Sequence, residues 1–116
     1  MQIQLKTDSH VQGADSLTAW VERELKDKLA RFRDQVTRIE VHLSDVNGAR
    51  VGGDEKRCLL EARLTGRPPV AVSHDAGKVA DAVHGAADKM LRALDTTLGK
   101  TRDAKGRESI RGDGGA

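Results

Sequence analysis

At 116 residues the chain is long enough to close one hydrophobic core and too short for two good ones, so one domain is expected. Its 20 Lys and Arg against 18 Asp and Glu leave a net charge of +2, which excludes the strongly basic surface of a nonspecific nucleic-acid binder; any RNA site has to come from local clustering. With 37% hydrophobic and 33% charged residues, and Trp20 and Phe32 as the only aromatics, the core must be aliphatic and thin, as in a two-layer domain.

In chain order, Met1 to Thr7 alternate, with Ile3 and Leu5 on one side and Gln2, Gln4 and Lys6 on the other, which predicts a strand with one solvated face. Beyond a turn containing Gly13, Asp15 or Ser16 is placed to cap a helix whose apolar residues Leu17, Trp20, Val21, Leu25, Leu29 and Phe32 recur at spacings of three and four. Period two returns from Thr37 to Ser44, where Ile39, Val41 and Leu43 face one way and Arg38, Glu40, His42 and Ser44 the other. It repeats from Arg57 to Thr65, with Cys58, Leu60, Ala62 and Leu64 as the inward set. Between these strands, Asn47-Gly48 and Gly52-Gly53 tolerate positive φ and suit a long flexible hairpin loop.

Gly66 to Pro69 makes a tighter connection, and Val70 to His74 is a short fourth strand that Pro68 and Pro69 can only precede. A second helix is expected from about Asp75 to Leu98, on the stripe Val79, Val83, Ala86, Ala87, Met90, Leu91, Leu94 and Leu98. Its Ala82, Ala86, Ala87 and Ala93 allow a close approach to the sheet, and Gly99 is suited to end it in the left-handed conformation. The elements add up to an α+β domain over residues 1–99, ordered β-α-β-β-β-α, with a four-stranded sheet and both helices on one face. Residues 100–116 hold one large apolar side chain, Ile110, and a disordered tail is expected.

The N-terminus has no basic-then-apolar stretch and no run long enough to span a membrane; with one cysteine, Cys58, the expected location is the reducing cytoplasm. Cys58 lies in a strand-like run and reads as a small core residue, not a nucleophile. The histidines His10, His42, His74 and His84 form no i, i+4 pair and none neighbours a cysteine, so no metal site is expected. Gly48-Ala-Arg-Val-Gly52-Gly53 lacks the Gly-Lys-Ser/Thr ending of a phosphate loop and opens no helix. No catalytic residue and no cofactor are expected, and the sequence points to binding.

The first helix carries Arg23, Lys26, Lys28, Arg31 and Arg33, and the second carries Lys78, Lys89 and Arg92, with Lys100 and Arg102 beyond. Such clusters neutralise phosphates, release counterions and give salt-sensitive affinity without reading sequence. Glu22, Glu24, Asp27 and Asp34 interleave with the first set, however, and Asp81, Asp88 and Asp95 with the second. On charge alone, a solvated face laced with i, i+4 ion pairs is the simpler reading.

Three segments tip that balance: Val21-Glu-Arg-Glu-Leu25 through Lys28-Leu29-Ala-Arg31-Phe32, then Lys56-Arg57-Cys58-Leu59-Leu60-Glu61-Ala62-Arg63-Leu64, then Asp88-Lys89-Met90-Leu91-Arg92-Ala93-Leu94. Over residues 1 to about 102 they give the chain a pattern that resembles the short ribosome hibernation factors, also called ribosome-associated inhibitors or sigma-54 modulation proteins. The resemblance implies a fold similar to a double-stranded RNA-binding domain with an added first strand, a type that meets RNA through shape and backbone. It implies a translation inhibitor of stationary or stressed bacterial cells, lodged in the messenger and transfer RNA channel of the small ribosomal subunit. It also implies, residue by residue, that Lys28, Arg31, Lys89, Arg92 and Lys100 contact ribosomal RNA phosphates. The alternative is a protein-interaction or regulatory module on the same fold, which would depend on an exposed apolar patch.

Overall fold

In the computed structural model, which describes residues 1–7, 14–46 and 55–99, the period-two segments become β1 (Gln2–Thr7), β2 (Val36–Asp45), β3 (Lys56–Leu64) and β4 (Arg67–Ala76). The helical stripes become α1 (Ala14–Lys28) and α2 (Val79–Leu94). The expected order, β-α-β-β-β-α, is therefore the observed one.

The strands form one sheet in the order β1-β2-β3-β4. β1 runs parallel to β2, a pairing that needs a crossover, and α1 supplies it. β2, β3 and β4 follow as an antiparallel meander. The register lines up the inward residues in rows across the strands. Ile3 sits beside Ile39, Ala62 and Val70, and Leu5 beside Val41, Leu60 and Val72. A third row runs through Thr7, Leu43, Cys58 and His74.

Both helices cover this apolar face. α1 buries Val21, Leu25 and Leu29, and α2 buries Ala82, Val83, Ala86, Ala87, Met90 and Leu94. Leu25, Leu29, Phe32, Ile39, Leu60, Met90 and Leu94 are among the largest side chains fully withdrawn from water, each contributing about 1.5–3 kcal/mol by burial. Leu17, Trp20, Val79 and Leu91 close the rim of the same cluster as partly buried residues.

The boundaries depart from expectation in four places. First, α1 begins at Ala14, so Asp15 and Ser16 lie inside its first turn and not at the cap. Second, its α geometry ends at Lys28, and Ala30–Phe32 forms a tight 3-10 turn closed by Phe32 N–H to Leu29 O at 2.9 Å and Arg33 N–H to Ala30 O at 3.1 Å. The stripe does not betray this change, because a 3-10 turn also stacks residues i and i+3, here Leu29 and Phe32. Third, β4 runs from Arg67 and includes Pro68 and Pro69. It is an edge strand, where every second N–H points away from the ladder, and the pairing beside the other proline is irregular, with a register shift between Ala62 and Leu64. Gly66, with φ 71°, makes the turn into it.

Fourth, Asp75 and Ala76 finish β4 instead of opening α2. Asp75 is held extended by a two-point bond from Arg57 on β3, with Nε to Oδ1 at 2.8 Å and Nη2 to Oδ2 at 3.0 Å. α2 then ends at Leu94 and passes into a wider π turn, Asp95–Gly99, which tucks Leu98 against the core. The central part of the β2–β3 hairpin loop, residues 47–54, lies outside the described residues, as do residues 100–116 with the expected tail.

The small-residue surface of α2 has a further use. Gly85 sits directly over His74 of β4, and a methyl group at Gly85 would overlap the imidazole at Cδ2, Nε2 and Cγ. A mid-helix glycine costs about 1 kcal/mol relative to alanine, so its presence is explained by the close approach.

Two outcomes follow from this packing. Gly85→Ala is expected to lower stability in chemical denaturation, by roughly 1–3 kcal/mol of overpacking less the helix-propensity gain. Adding His74→Ala should recover much of that loss, and a single variant as stable as wild type would refute the contact. Cys58 is fully buried, and burial pushes its thiol up to about 12. It should resist aromatic disulfide reagents at pH 8 in the folded protein and react once denatured.

Candidate nucleic-acid interface

Because both helices descend on the same face of the sheet, α1 and α2 lie side by side and point the same way, and their facing edges meet in a polar seam. Trp20 and His84 open it, with ring centroids 5.3 Å apart and planes tilted by 58°. One turn on, His84 Nε2 lies 3.2 Å from Glu24 Oε1. Next, Lys28 Nζ is 2.7 Å from Asp88 Oδ1. At the far end Arg31, stacked with its guanidinium carbon 4.8 Å from the Phe32 ring centroid, pairs with Asp95.

The five sequence-predicted contacts therefore separate. Lys28 and Arg31 stand together in the seam, each already holding a carboxylate from the opposite helix. Arg92 is exposed one turn beyond Asp88, and its charge acts on that carboxylate. Lys89 is not part of this group. It faces the other way along α2, and its Nζ donates to the Ser73 carbonyl of β4 at 2.9 Å, covering a main-chain acceptor at the sheet edge. Lys100 lies outside the described residues. Arg23, Lys26, Arg33 and Lys78 are exposed.

Sequence reasoning anticipated ion pairs within each helix; the pairs present in the seam run between helices. Asp88 and Asp95 were visible only as interleaved acids. Arg31 and Asp95 are 64 positions apart, so no local spacing signals the pairing.

The opposite face of the sheet carries charge of both signs in rows set by the register. Arg38 and Arg63 form one row, Glu40 and Glu61 the next, then Lys6, His42, Leu59 and Ser73, then Ser44, Arg57 and Asp75. Here Arg38 Nη2 donates to Glu40 Oε2 at 2.7 Å, and His42 Nε2 lies 3.7 Å from Glu40 Oε1. Glu40 is only 9% exposed although it belongs to the open face. Its desolvation pushes the carboxyl up, but Arg38, Lys6, Arg63 and His42 together hold it below its ordinary value. Leu59, at 37%, is the exposed large apolar side chain among the described residues.

Two more carboxyls are shifted by their partners. The hydrogen bond from Lys28 holds Asp88 below the ordinary carboxylate value, opposed by partial burial and helped by the charges of Lys28 and Arg92. The hydrogen bond from Arg57 does the same for Asp75 and raises Arg57 in turn. Among the described residues no cluster of three or more His, Cys, Asp or Glu side chains that could hold a metal ion is present.

With this geometry in view, the chain matches the family described as sigma 54 modulation protein / S30EA ribosomal protein over residues 3–103. Its fold is similar to the crystal structure of the Thermus thermophilus Protein Y N-terminal domain, with a TM-score of 0.67 at 21% identity, covering 84% of this chain and 99% of that one. It is also similar to a ribosomal subunit interface protein from Coxiella burnetii, with a TM-score of 0.65 at 19% identity, covering 85% and 99% respectively. No curated protein matches the sequence.

Asp75 and Asp88, each lowered first of all by one hydrogen-bonded partner, make an acid-stability prediction. Each has a folded value below its unfolded one, so its contribution is complete above the unfolded value of about 4 and is lost as pH falls through the lowered one. In thermal unfolding, Asp75→Asn and Asp88→Asn should melt below wild type at pH 7, and the gap should close as the pH drops under about 4. A gap that persists at pH 2 would mean that the side chains stabilise by packing and not by charge.

Proposed function

The chain belongs to the sigma 54 modulation protein / S30EA ribosomal protein family, and on that premise we propose that it is a ribosome-binding translation inhibitor that occupies the messenger and transfer RNA channel of the small subunit. Ribosome association accords with the family description and with a fold shared with a ribosomal subunit interface protein. A cytoplasmic location goes with that association. None of the described helices is long and apolar enough to cross a membrane.

The observation that carries the reading is the seam, where Lys28, Arg31 and Arg92 come to one exposed surface of the helical layer from three different turns. A helix pair presenting cations on a rigid sheet meets a folded RNA by its backbone and shape, without reading bases. Lys89 contributes from the flank once it leaves the Ser73 carbonyl, and Lys100 joins on the strength of the family resemblance. Inhibition is then steric. Nothing is turned over, and no cofactor takes part; the domain fills space that messenger and transfer RNA need.

A protein-docking module on this fold is less well supported. Among the described residues Leu59 is the one exposed large apolar side chain, set between Arg57, Glu61, Arg63 and His42, whereas a docking patch needs roughly several hundred Å² of contiguous apolar surface.

Co-sedimentation with isolated small subunits tests the proposal. Four or five phosphate contacts predict a loss of roughly a hundredfold or more in affinity between 50 and 200 mM salt. Arg92→Glu should bind at least about tenfold more weakly, with Lys89→Glu less affected because its side chain starts from a sheet-edge bond. Absence of binding at low salt, or binding indifferent to salt, would overturn the reading.

A further inference from the structure

The seam pairs its cations with carboxylates where an RNA backbone would need them. Lys28 and Asp88 are 40% and 50% exposed in their side chains, and Arg31 and Asp95 are 56% and 58% exposed, so both bridges lie open to an incoming polymer. Each bridge joins the α1 side of the layer to the α2 side, and Asp88 and Asp95 are about 10 Å apart, from α2 to the first residue of the turn that follows it, at 1.5 Å of rise per residue. Asp88 is also shared, since Lys28 donates to it while Arg92 acts on it from the next turn. Counting Glu24 with Asp88 and Asp95 against Lys28, Arg31 and Arg92, the seam is neutral when His84 is neutral.

We propose that Asp88 and Asp95 are place-holders for RNA phosphates: they bridge to Lys28 and Arg31 in the free protein and must be displaced when the backbone docks, and so set the affinity and salt dependence of the site. The inference rests on the ribosome-binding reading and adds to it the residues that regulate the same surface. Exposed ion pairs are weak, so a single displacement is easily driven by a phosphate, which offers more charge and more acceptor oxygens. The carboxylates nevertheless remain beside the contact and repel the incoming anion. A loose polyanion that meets one cation at a time gains little from the exchange. A rigid RNA surface that presents phosphates to both bridges at once gains from their linkage. The near-neutral seam therefore selects for a fixed array of phosphates over nucleic acid in general. The same arrangement orders the long Lys28 and Arg31 side chains before binding, which reduces the entropy lost on docking.

The test is a salt titration of binding to isolated small ribosomal subunits for wild type, Asp88→Asn, Asp95→Asn and the double variant. Glu61→Gln is the matched control: it changes net charge by the same amount and takes a carboxylate from Arg63, but on the opposite face of the sheet. Lys28→Gln added to Asp88→Asn asks whether the gain passes through the lysine. The expected result is binding roughly three- to tenfold tighter at low salt for each seam variant. The dependence on salt should also be steeper by up to about one unit of log–log slope per freed cation. Glu61→Gln should match wild type, and Lys28→Gln should erase the gain from Asp88→Asn. Wild-type binding with no gain in the double variant, or an equal gain in Glu61→Gln, would overturn the place-holder role while leaving ribosome binding intact. No binding by any variant at low salt would overturn both.

Discussion

The alternation of apolar and polar side chains along β2 and β3 leaves a single face of the sheet to be covered, and both helices have to share it. Parallel β1 and β2 send α1 back across that face, and the β2–β3–β4 meander returns α2 in the same direction. Two helices lying side by side over one core must put an edge of each against the other. The residues there, from Trp20 and His84 down to Arg31 and Asp95, cannot all reach the core and are not all free in water. The polar seam is the consequence of covering a one-sided sheet with two helices.

That seam differs in kind from the charge on the far side of the sheet. On the open face, Arg57 meets Asp75 across neighbouring strands and Arg38 meets Glu40 two residues along β2, each over a short distance on one sheet. In the helical layer the bridges join two separate elements through long side chains, and a change of partner there needs no rearrangement of backbone. Charge that is fixed in the sheet and exchangeable between the helices accords with an anion meeting the protein from the helical side. Lys89 shows the competing demand. An edge strand leaves carbonyls unpaired, and a lysine spent on Ser73 is turned away from the seam.

The sequence revealed the order of elements and the inward residues of the first three strands, because both follow from local periodicity. Cys58, Leu60 and Ala62 were legible as core from alternation alone, and all are fully buried. Segment ends were less legible. Pro68 and Pro69 argue against a strand unless one knows that β4 lies at an edge, and Asp75 argues for a helix start unless one knows that Arg57 holds it from β3. Both facts belong to the neighbouring strand and not to the segment itself.

The candidate site was legible as a set of cations and illegible as an arrangement. Lys28, Arg31, Lys89 and Arg92 are named by a segment-by-segment likeness. Only packing shows that the first two bridge to Asp88 and Asp95, that Arg92 flanks Asp88, and that Lys89 serves the sheet edge. By itself the sequence determined a one-sided α+β layer pair with an aliphatic core, since burial follows from side-chain period. The tertiary structure alone decided which charges neutralise which, since partners some sixty residues apart come within bonding distance only when two helices are laid on the same sheet.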